Sequence, residues 1–264
     1  MVQYCRFQTD DGPQYGEVAV RAGELWMERV IAAPPEDWSV IRLRKDLPPQ
    51  PLSELTLLAP VTPSKIVCVG RNYRDHATEL GNEVPKEPLL FLKAPSAILA
   101  PEGTIRIPAL SKRVDFEGEL GVVIGRHCSR LGPEEDVRPY IRGYVIVNDV
   151  TARDLQKSDG QWTRAKGFDT FCPVGPIVMG GLDVEAGVPV TTRLNGVVKQ
   201  HGSTKDFIFG IAHLLRYISA AMTLFPGDLI PTGTPAGVGP MYPGDVVEVE
   251  IDGLGVLRNP VAAE

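Results

Sequence analysis

The sequence predicts a β-dominated α+β protein, a mixed β-roll or sandwich with a small N-terminal β-rich module. Three observations carry this expectation. Short apolar or half-alternating runs bounded by turn residues recur along the chain, whereas only one stretch keeps helical periodicity for several turns. Glycine (27) and proline (24) are abundant for a helical protein, yet below the level that signals disorder. Strand and helix patterns do not alternate as βαβ units, which argues against a doubly wound parallel sheet.

In chain order, Glu17–Val20 and Glu24–Val30 flank the turn Arg21-Ala22-Gly23 and read as a hairpin. Pro48, Pro49, Pro51, Pro60 and Pro63 then mark a linker, and the division expected there is a module of residues 1–58 before a domain of residues 59–264. Lys65–Gly70 is a buried-strand pattern ending at glycine, after which Asn72 is placed to cap a short helix carrying Tyr73, His76 and Glu79. Glu117–Ile124 and Gly143–Asp149 are strand candidates. Thr151-Ala152-Arg153-Asp154 reads as a capping box opening a short helix. Ser203–Asp206 reads as a second one, before the long helix with Phe207, Ile208, Ile211, Leu214, Leu215, Ile218 and Met222 on its apolar stripe. Val246–Ile251 closes the chain as a strand that alternates in part.

Composition excludes several function classes. There are 27 Lys and Arg against 33 Asp and Glu, a formal net charge of −6, with no basic cluster to meet a nucleic acid. No apolar run is long enough for a membrane span, and Met1–Arg6 lacks the apolar core of a secretory signal. The cysteines at 5, 68, 128 and 172 are too dispersed for a zinc cluster or redox pair. A soluble, cytoplasmic protein is expected. No strand is followed by G-x-G-x-x-G, and the glycines of Thr232–Gly239 lack the Lys-Ser/Thr of a phosphate loop.

The candidate chemistry is carboxylate chemistry. On a strand, Glu117 and Glu119 project to one face, about 6.5–7 Å apart along the chain. Such a pair repels unless a cation lies between the charges or one is protonated. Glu-x-Glu alone also describes an exposed strand face; Asp149, a carboxylate ending the apolar strand Tyr144–Val147, favours the cation. Three carboxylates without cysteine or paired histidine suit a hard divalent ion, Mg²⁺ or Mn²⁺. His76 and Glu79 stand at i and i+3 on the expected helix, the spacing for a carboxylate to orient an imidazole as a general base, although a surface helix can carry the same pair. Arg153, Gln156 and Lys166 follow Asp149 and would suit an anionic, oxygen-rich substrate, or a solvated surface. Cys68 and Cys172 read as packed small hydrophobes. The other histidines, His127, His201 and His213, read as loop or solvent-facing residues.

The ordered set of motifs resembles the fumarylacetoacetate hydrolase family, in its bacterial 2-hydroxyhepta-2,4-diene-1,7-dioate isomerase and decarboxylase branch. The motifs are Val69-Gly70-Arg71-Asn72-Tyr73-x-x-His76, Phe91-Leu92-Lys93, Glu117-x-Glu119-Leu120-Gly121, Asn148-Asp149-Val150-Thr151-Ala152-Arg153-Asp154-x-Gln156, Lys166-Gly167-Phe168-Asp169, Leu194-Asn195-Gly196 and Gly227-Asp228 through Gly239. The resemblance runs from Pro63 to the end, making 59–264 the catalytic domain. It implies a β-rich roll, one Mg²⁺ or Mn²⁺ on Glu117, Glu119 and Asp149, and a His76–Glu79 dyad that shuttles a proton or activates water. It further implies that Lys166, Gln156 and Thr234 contact the substrate or its developing enolate, with Arg71 and Arg153 as supporting cations. A homodimer is implied as well. The larger eukaryotic hydrolase has a fourth acidic ligand where this chain has Val69-Gly70, which argues against fumarylacetoacetate itself as substrate.

The expected activity is isomerisation or decarboxylation of a dicarboxylic 2-oxo-enoate in aromatic-acid catabolism. Acylpyruvate hydrolysis or oxaloacetate decarboxylation by the same site is the alternative. From other classes, a metal-dependent phosphoesterase would be expected to show a stronger basic surface, and a Ca²⁺-binding module would show a D-x-[DN]-x-[DN]-G loop, absent here.

Overall fold

A computed structural model describes residues 3–34, 47–75 and 84–264. It bears out the β-dominated reading. Among the described residues, twelve strands form the main sheet, whose central run is Gln3–Thr9, Cys172–Met179, Ile141–Asn148, Gly118–Ile124, Leu229–Pro231, Ile66–Gly70 and Leu89–Lys93. Five strands form a second sheet in the order Val197–Ser203, Pro189–Leu194, Val246–Ile251, Gly255–Ala263 and Ile105–Ile107. A small third sheet joins Thr151–Ala152, Val114–Phe116 and Gly239–Met241.

The sequence patterns explain the layers. In Val246–Ile251, only Val247, Val249 and Ile251 are buried, so this strand keeps one covered face. Gly118–Ile124 and Cys172–Met179 are buried throughout, because the main sheet is covered on both sides. One side of Gly118–Ile124, with Leu120, Val122 and Ile124, joins a core that includes Val190, Val249 and the helix residues Leu214 and Ile218. Val123, on the other side, packs with Ile66, Cys68, Val145 and Cys172. The face that Glu119 shares is therefore enclosed, not exposed as Glu-x-Glu alone allows.

The N-terminal hairpin forms as expected, Gly12–Arg21 against Glu24–Ile31, with Ala22 (φ 49°) and Gly23 (φ 87°) supplying the two positive φ values of a tight hairpin turn. Its neighbour Gln3–Thr9 pairs with Cys172–Met179, so these strands extend the main sheet. At the other end of that sheet, Asp228 ties Leu229–Pro231 to Ile66–Gly70. Its carboxylate accepts from the Ser64 and Lys65 amides, the Ser64 hydroxyl, the Lys65 ammonium and the Phe225 amide. Burial pushes this carboxyl up, but Lys65 and the other donors hold it below its ordinary value.

Three local expectations change. The Ser203 capping box exists, but it closes a single 3₁₀ turn, Thr204–Asp206, and the helix begins only at Ile211 and runs to Ala221. The reason is Asn72: its carbonyl accepts from Ile208 N–H, and its side chain accepts from Phe209 N–H and donates to Phe209 O and Thr232 O. Asn72 is thus a clasp between loops. Helix Arg153–Asp159 has no side-chain cap; Asp154 instead accepts from Ser111 and Lys112, and the Thr151 hydroxyl lies 2.9 Å from Asp149 O. Finally, His201 lies on strand Val197–Ser203 rather than in a loop, its ring beside the Thr191 hydroxyl.

Cys5, Cys68, Cys128 and Cys172 are buried and unpaired with one another, and burial pushes the Cys172 thiol up to about 12, as expected of packing residues. Among the described residues, no helix is long and apolar enough to cross a membrane.

Candidate active site

Three element ends bring the acidic residues together. Glu117 sits in the break between Val114–Phe116 and Gly118–Ile124, Glu119 is the second residue of the latter strand, and Asp149 follows Ile141–Asn148. Because the last two strands pair with Gly118 opposite Asn148, and Asp149 N–H donates to Glu117 O, the carboxylates converge. One oxygen from each lies within 4.8 Å of the others, and all three side chains are buried.

Cations surround this triad. Lys166, ending the short helix Thr163–Lys166, donates to Glu117 Oε2 (2.9 Å) and Asp149 Oδ2 (2.6 Å). Lys93, ending its strand, donates to Asp149 Oδ1 (2.7 Å) and Val150 O. Arg153 opens its helix and donates to Glu117 Oε1 (2.7 Å), Asp115 Oδ2 and Gln156 Oε1. Burial opposes the Lys166 charge, yet the neighbouring Asp149 and Glu117 raise its ammonium above the ordinary value. Glu119 differs. Its Oε2 accepts from Gly233 N–H (2.8 Å), but burial and the nearby Asp149 and Glu117 push its carboxyl well above the carboxylate range.

Glycine makes this convergence possible. A Cβ on Gly118 would overlap the Thr192 hydroxyl of the second sheet, so only glycine lets the strand between the two glutamates approach it. Gly233, at φ 101°, would place a Cβ 2.8 Å from that of Asn72, and its glycine turn leaves the N–H free to bind Glu119. A closed polar ring fixes the local backbone: Gly118 N–H donates to Gln200 Oε1, Gln200 Nε2 to Thr234 Oγ1, and Thr234 Oγ1 to Gly118 O.

A cavity of about 330 Å³ opens onto the triad, toward the small end of ligand pockets. Of the residues expected from sequence, Glu117, Glu119, Asp149, Lys166, Arg71, Arg153, Gln156 and Thr234 all line it. Arg71 takes φ 57°, and its guanidinium lies 5.9 Å from the Trp162 ring centroid. The Thr234 hydroxyl is committed to the Gly118–Gln200 ring. His76 and Glu79 lie outside the described residues. Sequence reasoning missed Lys93, Asp115 and Gln200 as parts of the site. Lys93 was signalled by a cation ending an apolar strand and Asp115 by its strand parity with Glu117; nothing local marks Gln200.

The sequence profile of the fumarylacetoacetate hydrolase C-terminal domain matches residues 65–262. The chain belongs to the fumarylacetoacetate hydrolase family. The crystal structure of a 2-hydroxyhepta-2,4-diene-1,7-dioate isomerase from Mycobacterium marinum superposes with a TM-score of 0.89 at 43% identity, covering 100% of this chain and 99% of that one. An uncharacterised protein of Methanocaldococcus jannaschii is 48% identical over 229 residues, 87% of this chain and 96% of its own. Oxaloacetate tautomerase YisK of Bacillus subtilis is 42% identical over 224 residues, covering 80% of this chain and 74% of that protein. The chain is therefore an enzyme of a family that includes isomerases and tautomerases.

Members of this family are typically metal-dependent, and the triad fits such an ion. Its donors are hard carboxyl oxygens, and the buried Glu119 carboxyl accepts a backbone N–H but bonds to no cation among the described residues. Oxygen donors of this kind favour Mg²⁺ or Mn²⁺ over thiophilic metals.

Proposed function

We propose that this protein is a Mg²⁺- or Mn²⁺-dependent enzyme that isomerises or decarboxylates a dicarboxylic 2-oxo acid or its enol, of the 2-hydroxyhepta-2,4-diene-1,7-dioate type. The observation that carries the reading is the buried triad Glu117–Glu119–Asp149 with the Lys166 ammonium against it, at the floor of a small cavity lined by further cations. The likeness to the M. marinum isomerase supports it.

In this reading Glu117, Glu119 and Asp149 hold the ion. When bound, the divalent cation supplies Lewis-acid stabilisation of negative charge developing on the 2-oxo oxygen. Lys166 adds an ammonium to the stabilisation of the same developing enolate. Arg71, which makes no ion pair among the described residues, pairs with the distal carboxylate, its guanidinium steadied by Trp162. Arg153 is spent on Asp115 and Glu117, so its part is to hold Glu117 and present Gln156. Since the Thr234 hydroxyl bonds within the protein, Thr234 acts by shaping the cavity wall. His76, oriented by Glu79, moves the proton at the carbon next to the 2-oxo group, or activates water.

A second reading, tautomerisation or decarboxylation of oxaloacetate or hydrolysis of an acylpyruvate, uses the same enolate, and the likeness to the B. subtilis tautomerase favours its first member. The test is a product-resolved assay of dicarboxylic 2-oxo-enoates, oxaloacetate and acylpyruvates with Mg²⁺ or Mn²⁺, with a generic phosphodiester as control. Metal-dependent turnover of a 2-oxo-enoate is expected. Turnover of the phosphodiester alone would assign the triad to a phosphoesterase instead.

A further inference from the structure

The carboxylates of the triad are each anchored by one oxygen, and Glu117 and Asp149 offer the other to Lys166. Glu117 Oε1 is held by Arg153 (2.7 Å) and lies 3.1 Å from the Thr151 hydroxyl, Asp149 Oδ1 by Lys93, and Glu119 Oε2 by the Gly233 amide. The second oxygens of Glu117 and Asp149 both accept from the Lys166 ammonium. The two lysines differ in placement. Lys166 lines the cavity, with its ammonium 5.0 Å from the Phe91 ring centroid, whereas Lys93 is buried away from the cavity lining and also bonded to Val150 O.

Charge balance gives this arrangement a consequence. Four buried carboxyl groups, Glu117, Glu119, Asp149 and the neighbouring Asp115, face the cations Lys93, Lys166 and Arg153. A divalent ion brought to the same carboxylates with Lys166 in place would set two cations side by side away from water, which is unfavourable. Of the three side-chain cations, Lys166 alone holds the cavity-side oxygens and has open space beside it.

We propose that the Lys166 ammonium is a stand-in for the divalent cation: the two compete for Glu117 Oε2 and Asp149 Oδ2, and loading the ion drives Lys166 off these oxygens into the cavity. This rests on the reading that the triad binds Mg²⁺ or Mn²⁺. The ammonium that faces the substrate is then delivered only when the ion is in place, so an ion-free site keeps its lysine occupied. Lys93 has the opposite role, as a fixed counter-ion that orients Asp149.

Calorimetric and electron-paramagnetic-resonance titration of the chelator-stripped protein with Mn²⁺ tests the competition. Lys166→Met and Lys166→Gln should each bind Mn²⁺ about tenfold or more tighter than the wild type, a modest share of the Coulomb repulsion between neighbouring cations. Lys93→Met should not tighten binding. Unchanged or weaker Mn²⁺ affinity in both Lys166 variants, or equal tightening in Lys93→Met, would overturn the proposal. Wild-type crystals with and without Mn²⁺ provide a measurement that needs no variant to fold. Lys166 Nζ should leave hydrogen-bond reach of Asp149 Oδ2 when Mn²⁺ is bound, and its retention there would refute displacement. A wild-type protein that binds no Mn²⁺ would defeat the functional reading and the competition with it; a wild type that binds while Lys166 stays put defeats the competition alone.

Discussion

Replacing Glu119 by Gln keeps the shape of the side chain and removes the anion. Because Glu119 has no cation bonded to it among the described residues, the change should leave the fold intact while weakening Mn²⁺ binding at least about tenfold by calorimetry. Glu117→Gln and Asp149→Asn should weaken it too, at some expense of stability, since each strips a buried ammonium of its partner. Wild-type affinity in all three would mean that the carboxylates hold no ion. His76 and Glu79 call for a different readout. His76→Ala should retain Mn²⁺ and lower turnover by about 10²–10⁴-fold, the usual contribution of a general base. Glu79→Ala should cost less, and the double variant should be little worse than His76→Ala, because the pair would act as one unit. Loss of Mn²⁺ together with turnover would place His76 on the metal.

At the scale of elements, the loop carrying Gly233 and Thr234 keeps its place because the strand before it is pinned at Asp228. That carboxylate accepts five hydrogen bonds from Ser64, Lys65 and Phe225. Asp228→Asn should lower stability by about 3 kcal/mol in denaturant unfolding, the scale for breaking a buried ion pair. The pH dependence has a definite sign. A carboxyl held below its ordinary value when folded binds fewer protons than in the unfolded chain, so its stabilisation is present at neutral pH and lost as pH falls through the carboxylate range. The wild type should therefore lose more stability on acidification than Asp228→Asn. Equal acid sensitivity would remove Asp228 from the acid limb.

For the whole molecule, two expectations concern assembly. We propose a homodimer, from the family resemblance and from the outward face of helix Ile211–Ala221, where His213 stacks on Phe209 and Tyr217 beside its buried side of Leu214, Leu215 and Ile218. Sedimentation velocity at micromolar concentration should show a dimer; a fully active monomer would end the claim. We propose also that residues 1–58 are a module joined to the catalytic unit 59–264 through the main sheet. Strand Gln3–Thr9 buries Tyr4, Cys5 and Phe7 and pairs with Cys172–Met179. A 59–264 fragment would bare that apolar strand edge and should aggregate, measured by the soluble fraction on expression. A soluble, monodisperse fragment would show that the sheet edge needs no cover.

The sequence by itself determined the strand-rich class, the family and eight of the residues that line the cavity, because strand parity, apolar runs and ordered motifs are local signals. Glu117 and Glu119 share a face by the two-residue period of a strand, and Asp149 was marked by ending an apolar run. What only the tertiary structure decided is who faces whom. Asn72 clasps Phe209 from 137 positions away, which delays the long helix to Ile211 despite a correct capping box. Gln200 reaches Gly118 and Thr234 from another sheet and bonds the Thr234 hydroxyl at the cavity wall. Lys93 and Lys166 stand on different elements and divide the two oxygens of one aspartate between them. Contacts of this separation leave no periodicity in the chain. They arise when burial forces each charged or polar group to find its partner across the fold, and the chemistry of the site lies in those pairings.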